Sequence, residues 1–542
     1  MSHEGLRSLA SSASTTAAAR SRTPTAPAGP AGPATDPADL GVLEASALLR
    51  ARELSARELT EACLSRIDER NGGEPSLDGD PEAINAWARV YPQLAREAAA
   101  AADDRLAEDG EEVSPLCGIP IALKDLYSVA GLPVTASSRV LAGHVADADA
   151  AVWSRLRRAG MVLLGHTHTH EFGAGGTTDQ VGNPWARDRV AGGSSGGSAA
   201  ALAARMTPAA LGTDTCGSLR IPSACCGTSA IKPTHGLLPV AGLIPLAHTL
   251  DHTGPMARTI ADCAALLEGM THPGPELPPA APARTPAPWI PFRRRESDRP
   301  LEGLTVAVTD RTEGLAVDPE VAVAFETARR ACEHLGARVV FTPAPWTLDW
   351  DDLSLVLLTE AWNYHSQHAA RADRYRPAIA EFVEAAAGFT DAAAYLAAQQ
   401  RRAAGAAAWR RWFSERRVDL VLEPTLPIVP YERGPGYERG HAGGAGDPMI
   451  ALTVLWDMTG MPVATLPVTW QTSVSLIAPR RAEVSLIQAA IDLQEHELGI
   501  PEWEPPGNIP SAGTEGSKTR PAAGTEGSKT RPPAGTEGLE RR

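Results

Sequence analysis

The sequence predicts an α/β protein in which helices cover a central β-sheet. Three observations predict it. Helix-type and strand-type hydrophobic patterns alternate along residues 36–505. No stretch approaches the ~18 consecutive apolar residues of a membrane span. The 542 residues, 43% of them hydrophobic, are enough to bury a sizeable core. Strand–helix alternation on its own argues for a largely parallel sheet.

The elements follow in order. Ser55-Ala-Arg-Glu58 is a capping box, in which each side chain takes up a free N–H of the first helical turn. The helix it opens has Leu59, Cys63 and Ile67 as its apolar stripe. Ile119, Ile121 and Leu123 alternate through a short strand that ends at Lys124. Asp149 opens a helix with Val152, Leu156 and Ala159 on one face; Gly160 stops it, and Met161–Leu164 reads as a buried strand. Further along, Leu304–Val308 is a strand. Asp318-Pro319 then opens a helix that Gly336 closes before the strand Val339–Phe341. Residues 273–300 hold nine prolines, too many for regular structure, and read as a long surface connection.

Both ends read as disordered. Residues 1–35 are mostly Ala, Ser, Thr and Pro, with too little apolar surface to offset the entropy of ordering. Residues 506–542 repeat AGTEGSKTRP with a period of 11 and contain nothing that would stack into a core, so they form a flexible tail. Each end carries +2, and the formal charge of the whole chain is −15, which leaves −19 on the body. A body that acidic repels a polyanion, which argues against nucleic acid as the ligand. The seven cysteines are odd in number and form no CxxC. They fit buried thiols in a reducing compartment better than disulfides or a zinc site. With no apolar leader segment visible, the expected location is the cytoplasm; a homo-oligomer is compatible with the sequence.

The chemistry concentrates in two stretches. Gly192-Gly-Ser-Ser-Gly-Gly-Ser198 runs directly into an Ala-rich helix, so it belongs to a packed unit rather than a linker. It lacks the Gly-Lys-Ser/Thr of a phosphate loop. It formally matches the nucleophile elbow G-x-S-x-G, but polar, proline-broken Asn183–Ala191 stands where that elbow needs a buried strand. The second stretch is Thr213-Asp-Thr-Cys-Gly-Ser218-Leu-Arg-Ile-Pro, a turn of small residues. It presents a hydroxyl among converging backbone N–H groups, as a developing oxyanion requires. Lys124 ends its strand where open α/β sheets place their ligands. Serine with a lysine base is a known alternative to Ser-His-Asp.

These residues carry a resemblance. Gly118-Ile-Pro-Ile-Ala-Leu-Lys124-Asp, His170-Glu-Phe, Asn183-Pro-Trp, Gly192–Ser198, Gly212–Pro222, Cys226–Gly236 and Leu250–Pro255 occur in order. Asp419–Thr425 and Thr459–Pro467 follow. Together the sequence resembles the amidase signature family of Ser-Ser-Lys hydrolases over roughly residues 38–500, a spacing far more specific than any single motif. The resemblance implies a mixed central sheet covered by helices and hydrolysis of a carboxylic amide without cofactor or metal. It implies Ser218 as nucleophile, Ser194 as bridging serine held by a cis peptide with Gly193, and Lys124 as base. The backbone N–H groups of Thr215, Cys216, Gly217 and Ser218 would form the oxyanion hole. Two departures stand out: Cys216 occupies a usual glycine position, where a Cβ would either narrow the site or strain a position preferring φ > 0, and Val468–Ile477 replaces the family's Gly-Leu-Pro-x-Gly segment.

Competing readings attach to several residues. Cys216 as a thiol nucleophile has no base as clear as the one Lys124 offers serine. His166, His168 and His170 would share one face of a strand, an arrangement that suggests metal, but no further ligand is evident. Asp125, Asp214 and Arg220 read as hydrogen-bonding support, and Cys225-Cys226 as packing. At the level of the whole chain, two alternatives to a stand-alone amidase remain. One resembles the A subunit of glutamyl-tRNA amidotransferase, hydrolysing glutamine for a partner protein. The other is a non-catalytic binding protein on the same fold.

Overall fold

The computed structural model describes residues 36–108, 113–271, 294–433 and 447–502. The expected disordered ends and most of the proline-rich connection lie outside the described residues.

Eleven strands form one sheet. They are β1 (Trp87–Val90), β2 (Pro120–Lys124), β3 (Val162–Thr167), β4 (Ala209–Asp214), β5 (Ser229–Lys232), β6 (His252–Ala257), β7 (Thr305–Val308), β8 (Arg338–Phe341), β9 (Leu420–Pro424), β10 (Val463–Pro467) and β11 (Ser473–Ile477). Their order across the sheet is β1-β3-β2-β4-β6-β5-β10-β11-β9-β7-β8. The sheet is mixed, as the family resemblance implies, and not largely parallel as alternation alone argues. Parallel pairing is confined to β3-β2-β4 and β9-β7-β8. The other pairs are antiparallel.

Connections explain the difference. Helices Ala151–Arg158, Gly196–Ala203 and Pro319–His334 separate β2 from β3, β3 from β4 and β7 from β8, and such crossovers return the chain parallel. In the middle of the sheet no helix intervenes between β10 and β11, and residues 468–472 close an antiparallel hairpin with Val468 N–H on Thr472 O at 2.9 Å. The segment that departs from the family is therefore a regular hairpin, and its Trp470 stacks on Trp185 with ring centroids 6.1 Å apart.

Strands β2 and β4 are buried along their whole length, as parallel strands covered on both faces must be. The capping box forms as read: Ser55 Oγ accepts from Glu58 N–H at 3.1 Å, Glu58 Oε2 accepts from Ser55 N–H at 2.9 Å, and the helix runs Ala56–Arg70. Asp149 does not cap its helix, which starts at Ala151. Its carboxylate instead accepts from Ala130 N–H of a neighbouring loop at 2.9 Å and pairs with Arg157 in the last turn of the helix at 2.8 Å.

Ser55→Ala should lower stability by about 1 kcal/mol, the usual worth of an N-cap. Urea denaturation would read this as a lower midpoint with an unchanged slope.

Candidate active site

Two parallel strands build the site. Leu123 of β2 lies in register with Leu211 of β4, so the carboxyl ends of both strands emerge side by side. Lys124 and Thr213 follow that pair by one and two residues. Lys124 is fully buried, and its Nζ donates to Ser194 Oγ at 2.7 Å and Thr213 Oγ1 at 2.8 Å. Both partners are neutral hydroxyls. Burial pushes the amine down to about 7, and the more distant charges of Asp214 and Asp251 only partly oppose it.

Ser194 sits on the glycine-rich loop, which is packed and not a linker. The Gly193-Ser194 peptide is cis. A Cβ on Gly193 would meet Thr177 O at 2.0 Å, so only glycine fits there. The Ser194 carbonyl accepts from His170 N–H at 3.0 Å and Thr178 Oγ1 at 3.1 Å, which fixes the loop against its neighbours. Ser195 N–H donates to Ser218 O at 3.3 Å and ties this loop to the second turn.

That turn follows β4. Ser218 lines a recess together with Thr215, Cys216 and Gly173. A Cβ placed on Gly173 would stand 3.6 Å from Ser194 Oγ, so the Lys124-bonded hydroxyl lies just behind the same wall. Asp214 shapes the turn. Its carboxylate accepts from Gly217 N–H at 2.5 Å and Leu219 N–H at 3.3 Å. Of the four amides expected to form an oxyanion hole, Gly217's is thus directed at Asp214. Among the described residues no protein acceptor takes the amides of Thr215, Cys216 and Ser218. The positive φ of the turn, 130°, falls on Gly217 and not on Cys216. The expected strain at Cys216 is therefore absent. Burial, reinforced by the charges of Asp457 and Asp214, pushes the Cys216 thiol well above its ordinary range, which keeps it protonated and a poor nucleophile.

Beneath the turn lies a charged network with no exposure to solvent. Arg220 donates to Asp214 from Nε at 2.8 Å and from one terminal nitrogen at 3.0 Å, and that nitrogen also reaches Asp457 Oδ2 at 2.6 Å. Its other terminal nitrogen donates to Thr453 O at 2.8 Å. Burial alone would raise the Asp214 carboxyl, but the Arg220 guanidinium outweighs it and the group ends below its ordinary range. Asp457 goes the other way: burial drives it well above, with Arg220 opposing and the Asp214 charge adding to the rise. Thr453 Oγ1 also donates to Cys216 O at 2.6 Å, so one residue braces both Arg220 and the turn.

The three alternating histidines do not converge. Strand β3 ends at Thr167, so the alternation that would align them stops there. His166 bonds Tyr91 Oη at 2.9 Å and Tyr127 O at 3.0 Å, His168 bonds Ser137 Oγ at 3.1 Å, and His170 lies 3.7 Å from Asp179. Asp125 takes the support role expected of it, pairing with Arg89 and accepting from Thr135 and Ser137. Cys225 and Cys226 are buried, and all seven cysteines are free.

Sequence reasoning missed Thr213 as a lysine partner, and it missed Asp251, Thr453 and Asp457. Asp251 accepts from Thr215 Oγ1 at 2.6 Å and from Leu246 N–H at 3.0 Å. The available signal was position: Asp251 is the second residue of a matched motif, and Asp457 lies two residues before Thr459, where the last one begins.

A buried lysine held by hydroxyls, beside a serine turn with open amides at the carboxyl edge of the sheet, defines a hydrolase-type site on an α/β fold. The chain belongs to the amidase family, the amidase signature enzymes: the family's sequence model, described as Amidase, matches residues 58–497. The A subunit of glutamyl-tRNA(Gln) amidotransferase from Chromohalobacter salexigens is 34% identical over 497 residues, covering 84% of this chain and 96% of that one. The solved structure of a 6-aminohexanoate cyclic dimer hydrolase with its substrate is 28% identical at a TM-score of 0.71, covering 85% of this chain and 97% of that chain. The structure of a peptide amidase with the inhibitor chymostatin is 26% identical at a TM-score of 0.71, covering 86% and 99%.

Replacing Arg220 with methionine should cost about 3–5 kcal/mol, because it leaves two carboxylates buried beside each other without their counter-charge. A loss below about 1 kcal/mol in chemical denaturation would show that the network does not hold the turn.

Proposed function

We infer that the protein hydrolyses a carboxylic amide to the acid and ammonia or an amine, with Ser218 as nucleophile, Ser194 as relay and Lys124 as base. One observation carries the reading: a fully buried lysine whose two hydrogen-bond partners are hydroxyls, with its amine brought down to about 7. A lysine in that state accepts a proton near neutrality, as free lysine with its pKa of ~10.4 does not.

Ser218 Oγ attacks the amide carbon, and its proton passes to Ser194, whose own proton moves to Lys124 Nζ. The developing oxyanion lies against the amides of Thr215, Cys216 and Ser218. Gly217 N–H contributes by holding Asp214, which keeps the turn in shape for that charge. When the carbon–nitrogen bond breaks, the same relay returns the proton to the departing nitrogen. Water then attacks the acyl-enzyme with its proton taken by the same route. No step calls for a cofactor or metal.

A second reading has the chain working with partner proteins, and identity to the amidotransferase's A subunit over nearly the whole length of that relative favours it. Similarity at comparable coverage to a peptide amidase and a cyclic-dimer hydrolase favours the stand-alone enzyme. Among the described residues no helix is long and apolar enough to cross a membrane. The free cysteines fit a reducing compartment such as the cytoplasm.

Incubation with a slowly deacylating ester or a fluorophosphonate, followed by peptide mass spectrometry, should place the adduct on the peptide containing Ser218. Ser218→Ala should remove both adduct and turnover while the protein stays folded. An adduct on Cys216 or Ser194 would refute the assignment.

A further inference from the structure

The recess beside Ser218 has a one-sided chemistry. It opens to solvent, and its cavity volume is about 30 Å³. Beyond the turn residues its walls are Ile221, Leu246, Leu357, Phe382 and Ile450. They come from separate parts of the chain: Ile221 from the helix Arg220–Cys226, Leu246 from the loop before β6, Leu357 from the helix Trp350–His365, Phe382 from the helix Pro377–Ala386, and Ile450 from the approach to Thr453. Each is at most 8% exposed, and Leu357 and Phe382 belong to one apolar cluster with Ile450 and Leu246.

Charged groups stand near this recess but are occupied elsewhere. Asp251 faces away, with one oxygen accepting from Thr215 Oγ1 and Ala247 N–H and the other from Leu246 N–H, so it braces the wall from behind. Glu360 accepts from Thr249 N–H and Oγ1 and from Tyr395 Oη. Arg402 donates to Met458 O and Thr249 O. Among the described residues, no charged side chain lines the recess.

Given the reading of Ser218 as nucleophile, we propose that this recess receives the acyl part of the substrate, that the acyl part is an uncharged alkyl or aryl group, and that the side-chain amides of free α-amino acids are excluded. An apolar acyl chain gains by leaving water for these walls, several-fold in affinity for each buried methylene. A free α-amino acid with a side-chain amide, such as L-glutamine, would bring an ammonium and a carboxylate toward Leu357, Phe382 and Ile450, where neither finds a partner. Burying an unpaired charge is the more expensive of the two events, so exclusion follows from the same walls that favour apolar chains.

The test uses the full chain and ammonia release from acetamide, butyramide, hexanamide, benzamide and L-glutamine, with fluorophosphonate labelling of Ser218 run in parallel. The expected result is kcat/KM rising several-fold for each added methylene that the recess buries between acetamide and hexanamide, with L-glutamine at least 100-fold below the best apolar amide. Phe382→Ala should shift the preference toward the longer or bulkier acyl group; Leu357→Ala reads the same change should the first variant not fold. Labelling of Ser218 together with glutamine turned over as well as the apolar amides would overturn the proposal and leave the mechanism standing. No labelling and no turnover of any amide would overturn both.

Discussion

Everything in the site depends on one amine being kept out of water. Lys124 is enclosed at the end of β2 with two hydroxyls for company, and burial brings it down to about 7. At ~1.4 kcal/mol per pH unit, holding that amine charged inside the protein would cost on the order of 5 kcal/mol relative to water. A carboxylate in direct contact would cancel this effect and leave an inert ion pair. The fold instead commits the nearby acids to other cations and donors. Asp214 is held by Arg220 and by the amides of Gly217 and Leu219, and Asp251 by Thr215 and Leu246. The charge network under the site therefore does two things: it shapes the turn that carries Ser218 and it keeps counter-charges off the lysine.

The sheet makes this possible by placing two parallel strand ends together. β2 delivers Lys124, β4 delivers Thr213 and the turn, and the glycine-rich loop lays Ser194 between them. Parallel strands covered on both faces supply the dry surroundings, and the antiparallel middle of the sheet carries Lys232 and His252 close behind. Apolar walls from two distant helices complete the recess in front of Ser218.

Much of this was legible in the sequence, and the parts that were not share a cause. The strand ending at Lys124, the Ser55 capping box, the Pro319–His334 helix and the packed glycine loop all rest on local pattern, and all form where the pattern places them. The direction of the central strands did not follow from alternation, because a short hairpin between β10 and β11 replaces a helical crossover. Asp149 is taken up by a loop amide at Ala130 and by Arg157 at the far end of its helix, and the end of β3 disperses the three histidines. The supporting acids were hidden by distance along the chain: Asp457 reaches Arg220 across 237 residues and Asp251 reaches Thr215 across 36. Pairing over such separations is a property of the assembled sheet, which periodicity does not encode. The free Thr215, Cys216 and Ser218 amides likewise became distinct from that of Gly217 only once Asp214 was seen to claim it.

The central claim is that Lys124 works as a neutral base. It is tested most directly by measuring kcat/KM from pH 5 to 10 on the wild-type protein and on a folded Lys124→Arg variant. With the neutral amine as the proposed active form, activity should climb about tenfold per pH unit below about 7 and level off above it. The arginine variant should be nearly inactive at every pH, since a guanidinium does not give up its proton in the working range. Near wild-type turnover by the folded arginine variant would contradict the account, because it would mean that a permanent cation at this position suffices.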